Sequence, residues 1–264
     1  MFRLMATDLD GTFLDGNHQF DQERFASLLD RLDELGIVFA AASGRGIASM
    51  RELFADFRDR IYLIGENGSI IEERGQVIWS RTMDAETVEQ LFADLVASPY
   101  VDKNQLIFSA EHEVYALETV DADYLELARE YHPQIQLIGD LQEMQEPIFK
   151  VTLNLREAEV QEGVAWLVQH LPGYSVMTTG YQTLDIVPTG IDKGAALGRL
   201  LLMKDWHPDD LVAFGDQLND RQMLELAGLA ICPENAKDEI KAIADRVIGP
   251  ASQGSVLKCM EELI

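Results

Sequence analysis

The sequence is poor in cysteine. Its 264 residues include two cysteines, Cys232 and Cys259, and these belong to neither a CxxC pair nor a Cys/His cluster. Two isolated cysteines do not make a disulfide framework or a structural zinc site, and they are typical of packed thiols in a reducing compartment. We therefore expect neither cysteine to be a metal ligand or a disulfide partner.

Basic residues and long apolar runs are also scarce. Lys and Arg total 21 against 46 Asp and Glu, which gives a formal net charge of −25. Such a surface repels phosphate backbones and anionic membranes, so we expect no nucleic-acid or membrane partner. No stretch approaches the ~18 apolar residues of a membrane span, and the first apolar run ends at Thr7 without the pattern of a signal peptide. The expectation is a cytoplasmic protein.

The sequence does contain a regular alternation of strand-like and helix-like segments. Apolar strand patterns at residues 2–7, 37–42 and 61–65 alternate with amphipathic helix patterns, and the alternation returns after Pro188. This order is typical of a parallel sheet covered by helices. The two ends of the chain therefore predict one doubly wound, Rossmann-like α/β core.

The middle of the sequence has a different rhythm. Between Asp84 and Asp185, strand patterns adjoin strand patterns, which predicts an α+β module with an antiparallel sheet and helices on one side. We therefore predict a core domain of residues 1–82 and 186–264, interrupted by an inserted α+β cap domain of residues 83–185. Tyr115, Trp166 and Tyr181 are aromatic candidates for a sugar platform in the insert, although the helical spacing around Trp166 favours a place in the core.

Four polar clusters follow strand or turn ends in the predicted core. Ligands of doubly wound sheets bind beyond the carboxyl ends of the strands, so we expect these clusters to converge. They are DLDGT (residues 8–12), ASGR (42–45), TGIDKG (189–194) and GDQLND (215–220).

The first two clusters have both a chemical and a structural interpretation. Asp8 and Asp10 are two residues apart, so a strand would place both carboxylates on one side. The alternative is an exposed strand end followed by turn residues. Ser43 and Gly44 follow a buried strand, where a hydroxyl and backbone N–H groups would form an anion site at a helix N-terminus. The alternative is that Ser43 is an N-cap.

The other two clusters carry opposite charges. Lys193 lies at the start of a predicted helix, where the helix dipole disfavours a cation unless an anion compensates it. The alternative is a lysine in water. Asp216 and Asp220 are four residues apart on a predicted helix, with Asn219 beside them, and such oxygen ligands suit a hard divalent cation. The alternative is helix capping by Asp216.

Taken together, the four clusters resemble those of the haloacid dehalogenase-type (HAD) phosphatases in order and spacing. The resemblance covers the core at both ends of the chain. An insert between the second and third clusters resembles the Cof-type sugar-phosphatase subfamily, whose members mostly dephosphorylate sugar phosphates and other small phosphorylated metabolites. The resemblance implies a Mg²⁺-dependent phosphatase, a phosphoric monoester hydrolase that works through an aspartyl-phosphate.

The resemblance assigns the acidic residues to catalysis and metal binding. Asp8 matches the nucleophile and Asp10 the general acid/base. Mg²⁺ would be held by the side chains of Asp8 and Asp216 and by the backbone carbonyl of Asp10. Asp220 matches an outer acid that orients the metal site or Lys193, the lysine that assists catalysis.

The same resemblance assigns the groups that bind the substrate phosphate. Ser43, Gly44 and Lys193 match the phosphate-binding loop and lysine, and Asn219 lies near the transferring oxygens. Arg45 directly follows the loop and is a further candidate. The partner that these groups imply is a small phosphorylated metabolite; the oligomeric state is left open.

Three positions depart from the family pattern. Thr189 stands where many relatives have lysine, Gln217 where the residue is often small, and Glu234 where a glycine commonly precedes Asn235. None of them carries the chemistry, but Gln217 and Glu234 weaken any transfer of a specific substrate. Asn235, followed by Asp238, could simply cap a helix.

Two other functional interpretations stay open at this point. A phosphosugar mutase or a disaccharide-phosphate phosphatase could use the same core. A non-catalytic regulator that binds Mg²⁺ and a phosphorylated metabolite would need no leaving-group acid, so Asp10 argues against it. A dehalogenase is disfavoured, because displacement at carbon requires neither Asp10 nor a metal site.

Overall fold

The computed structural model describes residues 2–132, 134–178 and 182–264, and these divide into two compact units. The first unit consists of Met1–Gly44, Arg51–Trp79 and Asp192–Ile264. The second unit consists of Arg45–Met50 and Ser80–Ile191.

The described residues form fourteen β-strands and nine α-helices. The strands are β1 (Leu4–Thr7), β2 (Val38–Ala42), β3 (Tyr62–Gly65), β4 (Ile70–Glu73), β5 (Gln76–Ser80), β6 (Leu106–Ser109), β7 (Val114–Leu117), β8 (Gln136–Ile138), β9 (Lys150–Asn154), β10 (Tyr174–Thr178), β11 (Thr183–Pro188), β12 (Leu211–Phe214), β13 (Leu229–Pro233) and β14 (Arg246–Ile248). The helices are α1 (Gln22–Leu35), α2 (Ile47–Leu53), α3 (Ala85–Val96), α4 (Ala122–Arg129), α5 (Val160–His170), α6 (Lys193–Met203), α7 (Arg221–Leu226), α8 (Asp238–Lys241) and α9 (Ser255–Glu262).

The first unit is built on an eight-stranded sheet of order β14-β13-β12-β1-β2-β3-β4-β5. The strands from β14 to β3 pair in parallel, and β4 pairs antiparallel with β3. The chain leaves β1 toward β2 and returns to its other side at β12, so the carboxyl ends of β1 and β12 flank a topological switch point, where doubly wound sheets bind ligands. The predicted α/β fold with a parallel Rossmann-like core is confirmed.

Helices cover both faces of this sheet. Leu4 of β1 belongs to the apolar cluster that also contains Leu197 of α6 and Leu224 of α7. On the other face, the ring of Phe39 in β2 lies 4.8 Å from that of Phe25 in α1. Apolar side chains alternate between these faces because successive residues of a strand point in opposite directions.

Two ion-pair groups fix the edge of the first unit near β4. Glu72 is 1% exposed and accepts hydrogen bonds from the guanidinium groups of Arg51 (2.7 Å) and Arg58 (2.5 Å). Its neighbour Glu73 points the other way and binds Lys204 at 2.6 Å. Burial alone would raise the pKa of Glu72, but Arg58 and Arg51 outweigh it, so the pKa is lowered.

The second unit carries a six-stranded sheet of order β10-β11-β9-β6-β7-β8, antiparallel except for the β7–β8 pair. Phe108 packs in a cluster with Leu91 of α3 and Leu167 of α5, whereas Ile107 packs with Tyr124 of α4. Adjacent strand residues face opposite ways, so α4 lies on the other side of the sheet from α3 and α5. The expectation of helices on one side is therefore wrong.

The remaining expectations about composition concern single residues. Tyr115 is fully buried in the apolar cluster of the second unit that contains Phe108. Trp166 is half-buried and packs against this cluster, so neither side chain is an open sugar platform. Tyr181, like Thr179 beyond β10, lies outside the described residues.

Cys232 and Cys259 are buried free thiols, as predicted. Across the part of the chain that the structure describes, no helix combines the length and apolarity needed to cross a membrane.

Candidate active site

The DLDGT cluster begins where β1 ends. Asp8 has an extended backbone and its N–H still donates to the carbonyl of Phe214 in β12, but the chain then winds into a tight turn over Leu9–Phe13. Gly11 has φ +80°, and a Cβ there would lie 2.7 Å from Asp216 Oδ2, so any other residue would collide with that carboxylate. The strand ends at Thr7, as predicted, but the expected strand conformation across Asp8 and Asp10 is wrong, because the chain enters this turn directly after Asp8.

Lys193 occupies the first turn of α6 and is 1% exposed. Its ammonium donates to Asp8 Oδ1 and to Asp220 Oδ1, each at 2.6 Å. The two carboxylates compensate the unfavourable position of a cation at a helix N-terminus. A lysine in water is therefore excluded, and the structure joins the first, third and fourth clusters through this one side chain.

The GDQLND cluster does not lie on the one continuous helix that the spacing of Asp216 and Asp220 predicts. A short 3₁₀ turn at Leu218–Asp220 precedes α7, and Asp220 Oδ2 accepts from the backbone N–H groups of Asp216 and Gln217, both at 2.9 Å. Asp216 therefore does not cap the helix; its Oδ1 accepts from the Thr12 hydroxyl at 2.7 Å. Asp220 shapes the turn with one oxygen and holds Lys193 with the other.

Carboxylate oxygens of Asp8, Asp216 and Asp220 lie within 4.8 Å of one another, and all three residues are buried. Burial and the nearby Asp220 raise the pKa of Asp8 despite Lys193. Burial is also the main cause that raises the pKa of Asp216 to about 6, although the hydrogen bond from Thr12 opposes it. Burial lowers the pKa of Lys193, but Asp220 and Asp8 outweigh it and raise the pKa well above its usual value.

This charge distribution fits a divalent cation. Three acidic groups share the ammonium of Lys193, so the ionised cluster carries excess negative charge, and buried excess charge is costly. The raised pKa values of Asp8 and Asp216 express that cost. Closely spaced buried carboxylate oxygens are the ligand set that Mg²⁺ prefers.

The ASGR cluster lies at the end of β2, and its neighbours include a residue that the sequence analysis missed. Asn67 is fully buried, its N–H donates to the Ser43 carbonyl at 3.0 Å, and its Oδ1 accepts from Asn219 at 3.2 Å. A Cβ on Gly44 would approach Asn67 Oδ1 to 3.0 Å. Asn67 thus connects the second and fourth clusters. The sequence signal for it is the Asn67-Gly68 pair, which is typical of a tight turn between two antiparallel strands and does connect β3 to β4; φ is +54° at this asparagine.

Two expectations about the second cluster need correction or stay open. α2 begins only at Ile47, so Ser43 is not an N-cap and Gly44 does not directly precede the helix. Arg45 belongs to the second unit, and its role in substrate binding stays a prediction.

Asp10 is placed apart from the acidic cluster. Its side chain is 37% exposed, and its Oδ1 lies 2.8 Å from Nδ1 of His18. His18 could not be predicted from the sequence, because a lone histidine in a polar loop has no pattern that marks it.

The departures from the family pattern lie outside the acidic cluster or at its rim. Glu234 is exposed, and Thr189 donates its N–H to the Gly173 carbonyl in the second unit. Asn235 does not cap α8, whose N-terminus lacks a side-chain cap; it donates to the Gly11 carbonyl at 2.7 Å and accepts from Ala251 N–H at 2.9 Å. It ties the DLDGT turn to the C-terminal part of the chain.

Comparison with known proteins identifies the family. A model of haloacid dehalogenase-like hydrolases matches residues 5–260. The chain is 26% identical over 265 residues to the 5-amino-6-(5-phospho-D-ribitylamino)uracil phosphatase YbjI of Escherichia coli, covering 99% of this chain and 96% of that one. It is 27% identical over 267 residues to an HMP-PP phosphatase of Serratia proteamaculans, covering 97% and 93% respectively.

A solved structure agrees with these matches. The crystal structure of a Streptococcus mutans protein superposes with a TM-score of 0.92 at 27% identity, covering 100% of this chain and 99% of the other. The names of the relatives and the matched family confirm the predicted enzyme class, a phosphoric monoester hydrolase. With the family model spanning almost the whole chain, this protein belongs to the haloacid dehalogenase-like hydrolases.

Proposed function

We propose that this protein is a Mg²⁺-dependent phosphatase that hydrolyses small phosphorylated metabolites, with sugar phosphates as the first substrate class to test. The observation that carries the proposal is the bridge from Lys193 to Asp8 and Asp220, beside Asp216. It joins a nucleophile, a fixed cation and a potential metal site in one buried cluster at the switch point of the sheet.

In the proposed reaction, a carboxylate oxygen of Asp8 attacks phosphorus, and the bond from phosphorus to the ester oxygen breaks. Asp10 begins protonated and gives its proton to the leaving oxygen, so the product departs as an alcohol. Asp10 then takes a proton from a water molecule that attacks the aspartyl-phosphate. Inorganic phosphate leaves, and both aspartates return to their starting states.

The other groups act on charge. Lys193 holds Asp8 in place and offsets the negative charge where the phosphoryl group arrives. The side chains of Asp8 and Asp216 and the backbone carbonyl of Asp10 would hold Mg²⁺, with Asp220 as an outer acid. A bound Mg²⁺ supplies Lewis-acid neutralisation of nucleophile and phosphate.

In this proposal, one set of residues binds the phosphate group of the substrate and another set selects the rest of the metabolite. Ser43, Gly44 and Asn219 contribute donors to the phosphate oxygens, and Arg45 is a further candidate. In the proposed division, residues 1–82 and 186–264 carry the chemistry, and residues 83–185 form the cap domain that selects the metabolite. Two relatives of similar identity are named for different substrates, which supports the class of substrate rather than one compound.

The test is release of inorganic phosphate from p-nitrophenyl phosphate and from a panel of sugar phosphates, with Mg²⁺ or with EDTA. We expect Asp8→Asn to abolish release with an unchanged circular dichroism spectrum, and EDTA to suppress the parent enzyme. Asp56→Asn, the same substitution at an exposed position, is the matched control and should keep full activity.

Three outcomes would replace the proposal. Turnover that persists in Asp8→Asn would remove its central step. An isomeric sugar phosphate formed without free phosphate would indicate a mutase. Tight binding across the panel without turnover would indicate a metabolite-binding regulator.

A further inference from the structure

We infer that His18 is a positioning residue that sets the orientation of the Asp10 carboxyl group; this rests on the proposed function, in which Asp10 is the general acid/base. The contact joins His18 Nδ1 and Asp10 Oδ1 at 2.8 Å. A proton donor of this kind must be held within about 10–20° of its productive orientation by residues whose own conformation is fixed.

Hydrogen bonds fix the backbone of the loop around His18, whose side chain is 59% exposed. Asp15 Oδ1 accepts from the N–H groups of Asn17 (2.8 Å) and Gln19 (3.0 Å). Two backbone bonds close the same turn, from Asp15 N–H to the Gln19 carbonyl and from His18 N–H to the Asp15 carbonyl. The hydrogen bonds that the Asp15 carboxylate accepts from the N–H groups of Gln19 and Asn17 lower its pKa, as expected for a carboxylate that accepts from several N–H groups. The side chain of Asp15 therefore stabilises the turn that carries His18.

The backbone of His18 supports a functional reason for the histidine. Its φ is +57°, in the left-handed region, which is uncommon for residues other than glycine but which histidine, asparagine and aspartate populate more often than most. Residues that keep such a conformation cluster at functional sites. Here the left-handed residue ends the turn with its ring against Asp10, the member of the DLDGT cluster that stands apart from the buried carboxylates.

The position of Asp10 shows why such support is useful. Asp8 is fixed by Lys193 at 2.6 Å in a buried cluster, whereas the side chain of Asp10 is 37% exposed. A misplacement of the Asp10 carboxyl group by about 1 Å can cost on the order of 100-fold in rate, and the hydrogen bond with His18 opposes such a displacement. The imidazole N–H can donate to Oδ1 whether or not Asp10 carries its proton, because the carboxyl group keeps an acceptor in both states.

The test compares leaving groups. p-Nitrophenolate departs without a proton, whereas the alkoxide of an alkyl phosphate needs one, so the contribution of the Asp10 proton is measured by the difference between these substrates. His18→Gly removes the ring and keeps a residue suited to φ +57°. His18→Asn also suits that backbone and carries an amide near the position of Nδ1, so it is the variant that should restore the contact.

We expect His18→Gly to lower kcat/KM, which reports the first phosphoryl transfer and not the shared hydrolysis of the aspartyl-phosphate, by about 10- to 100-fold for an alkyl phosphate and by less than about 3-fold for p-nitrophenyl phosphate. His18→Asn should recover most of the loss. Equal losses of kcat/KM on both substrates, or no recovery by His18→Asn, would overturn the inference.

Asp10→Asn, assayed in parallel, separates this inference from the proposed function. If Asp10→Asn shows the leaving-group bias and His18→Gly does not, only the role of His18 is refuted. If Asp10→Asn shows no bias, or the parent enzyme releases no phosphate from any substrate, the proposed function fails and the inference fails with it. Asp15→Ala, which loosens the turn but keeps the ring, should give a smaller loss with the same bias.

Discussion

Replacing Lys193 by methionine tests the charge balance of the buried cluster directly. The substitution keeps the volume of the chain at the start of α6 but removes the ammonium that lies 2.6 Å from both Asp8 and Asp220. The three side chains are 1%, 8% and 0% exposed, so water cannot take over the role of the cation. Removing one partner of a buried ion pair costs about 3–5 kcal/mol. We expect a loss of that size in free energy of unfolding near neutral pH.

The loss should depend on pH in a defined direction. Without the ammonium, the folded protein avoids buried like charges by binding at least one proton that the unfolded chain does not bind. The variant is therefore penalised more as pH rises, by up to about 1.4 kcal/mol per pH unit for one proton. The double variant Lys193→Met/Asp220→Asn removes one of the carboxylates and should recover much of the stability.

The assay is urea denaturation in EDTA at several pH values, because a divalent cation would replace the missing charge. Lys204→Met is the matched control. Lys204 lies at the other end of α6 and binds Glu73 at 2.6 Å, but both side chains are 28% exposed, so we expect a loss below about 1 kcal/mol. If Lys193→Met costs no more than Lys204→Met, or its cost does not grow with pH, the electrostatic account of the cluster is wrong.

Two further predictions concern other carboxylates. The pKa of Asp216 is raised to about 6 in the folded protein, so the stability that its protonated form contributes is lost as pH rises. In EDTA, the free energy of unfolding of Asp216→Asn should therefore rise relative to that of the parent by up to about 3 kcal/mol between about pH 4 and about pH 7. Urea denaturation measures this difference. A gain that shrinks with pH would contradict this sign. Glu72→Gln leaves Arg51 and Arg58 without their shared carboxylate and should cost about 2–3 kcal/mol, less than a fully buried pair because Arg58 is 35% exposed. Thermal unfolding measures this loss of stability. No measurable loss would contradict the prediction and would show that water solvates the two guanidinium groups in place of the carboxylate.

The sequence predicted the sheet and the polar clusters because both have local patterns. Polar residues that follow apolar strands of a parallel sheet meet at its carboxyl edge, so the placement of Asp8 and Asp216 at neighbouring strand ends could be expected. The position of Lys193 at the start of a helix could be expected from the sequence as well. The exact contacts of Lys193 could not, because they depend on how α6 packs against the turn that Asp220 forms.

The residues that the sequence analysis missed act through backbone geometry. Asn67 and His18 both have a left-handed backbone, and both contact a predicted site residue only because a turn brings them there. Asn235 bonds to Gly11 across more than 200 residues, and no local pattern distinguishes that role from a helix cap. The prediction that all helices of the insert lie on one side of its sheet was wrong for a related reason, because an amphipathic helix such as α4 can cover either face.

During synthesis, a long interval separates β1 from β12, the second strand that pairs with it. It pairs with β2 early, but its other edge stays open until β12 is made, more than 200 residues later. At about 5–20 residues per second, this interval lasts about 10–40 s on the ribosome. An open strand edge can pair with the wrong chain. The nascent protein is therefore most exposed to aggregation, and most dependent on chaperones, until Phe214 has left the ribosomal tunnel.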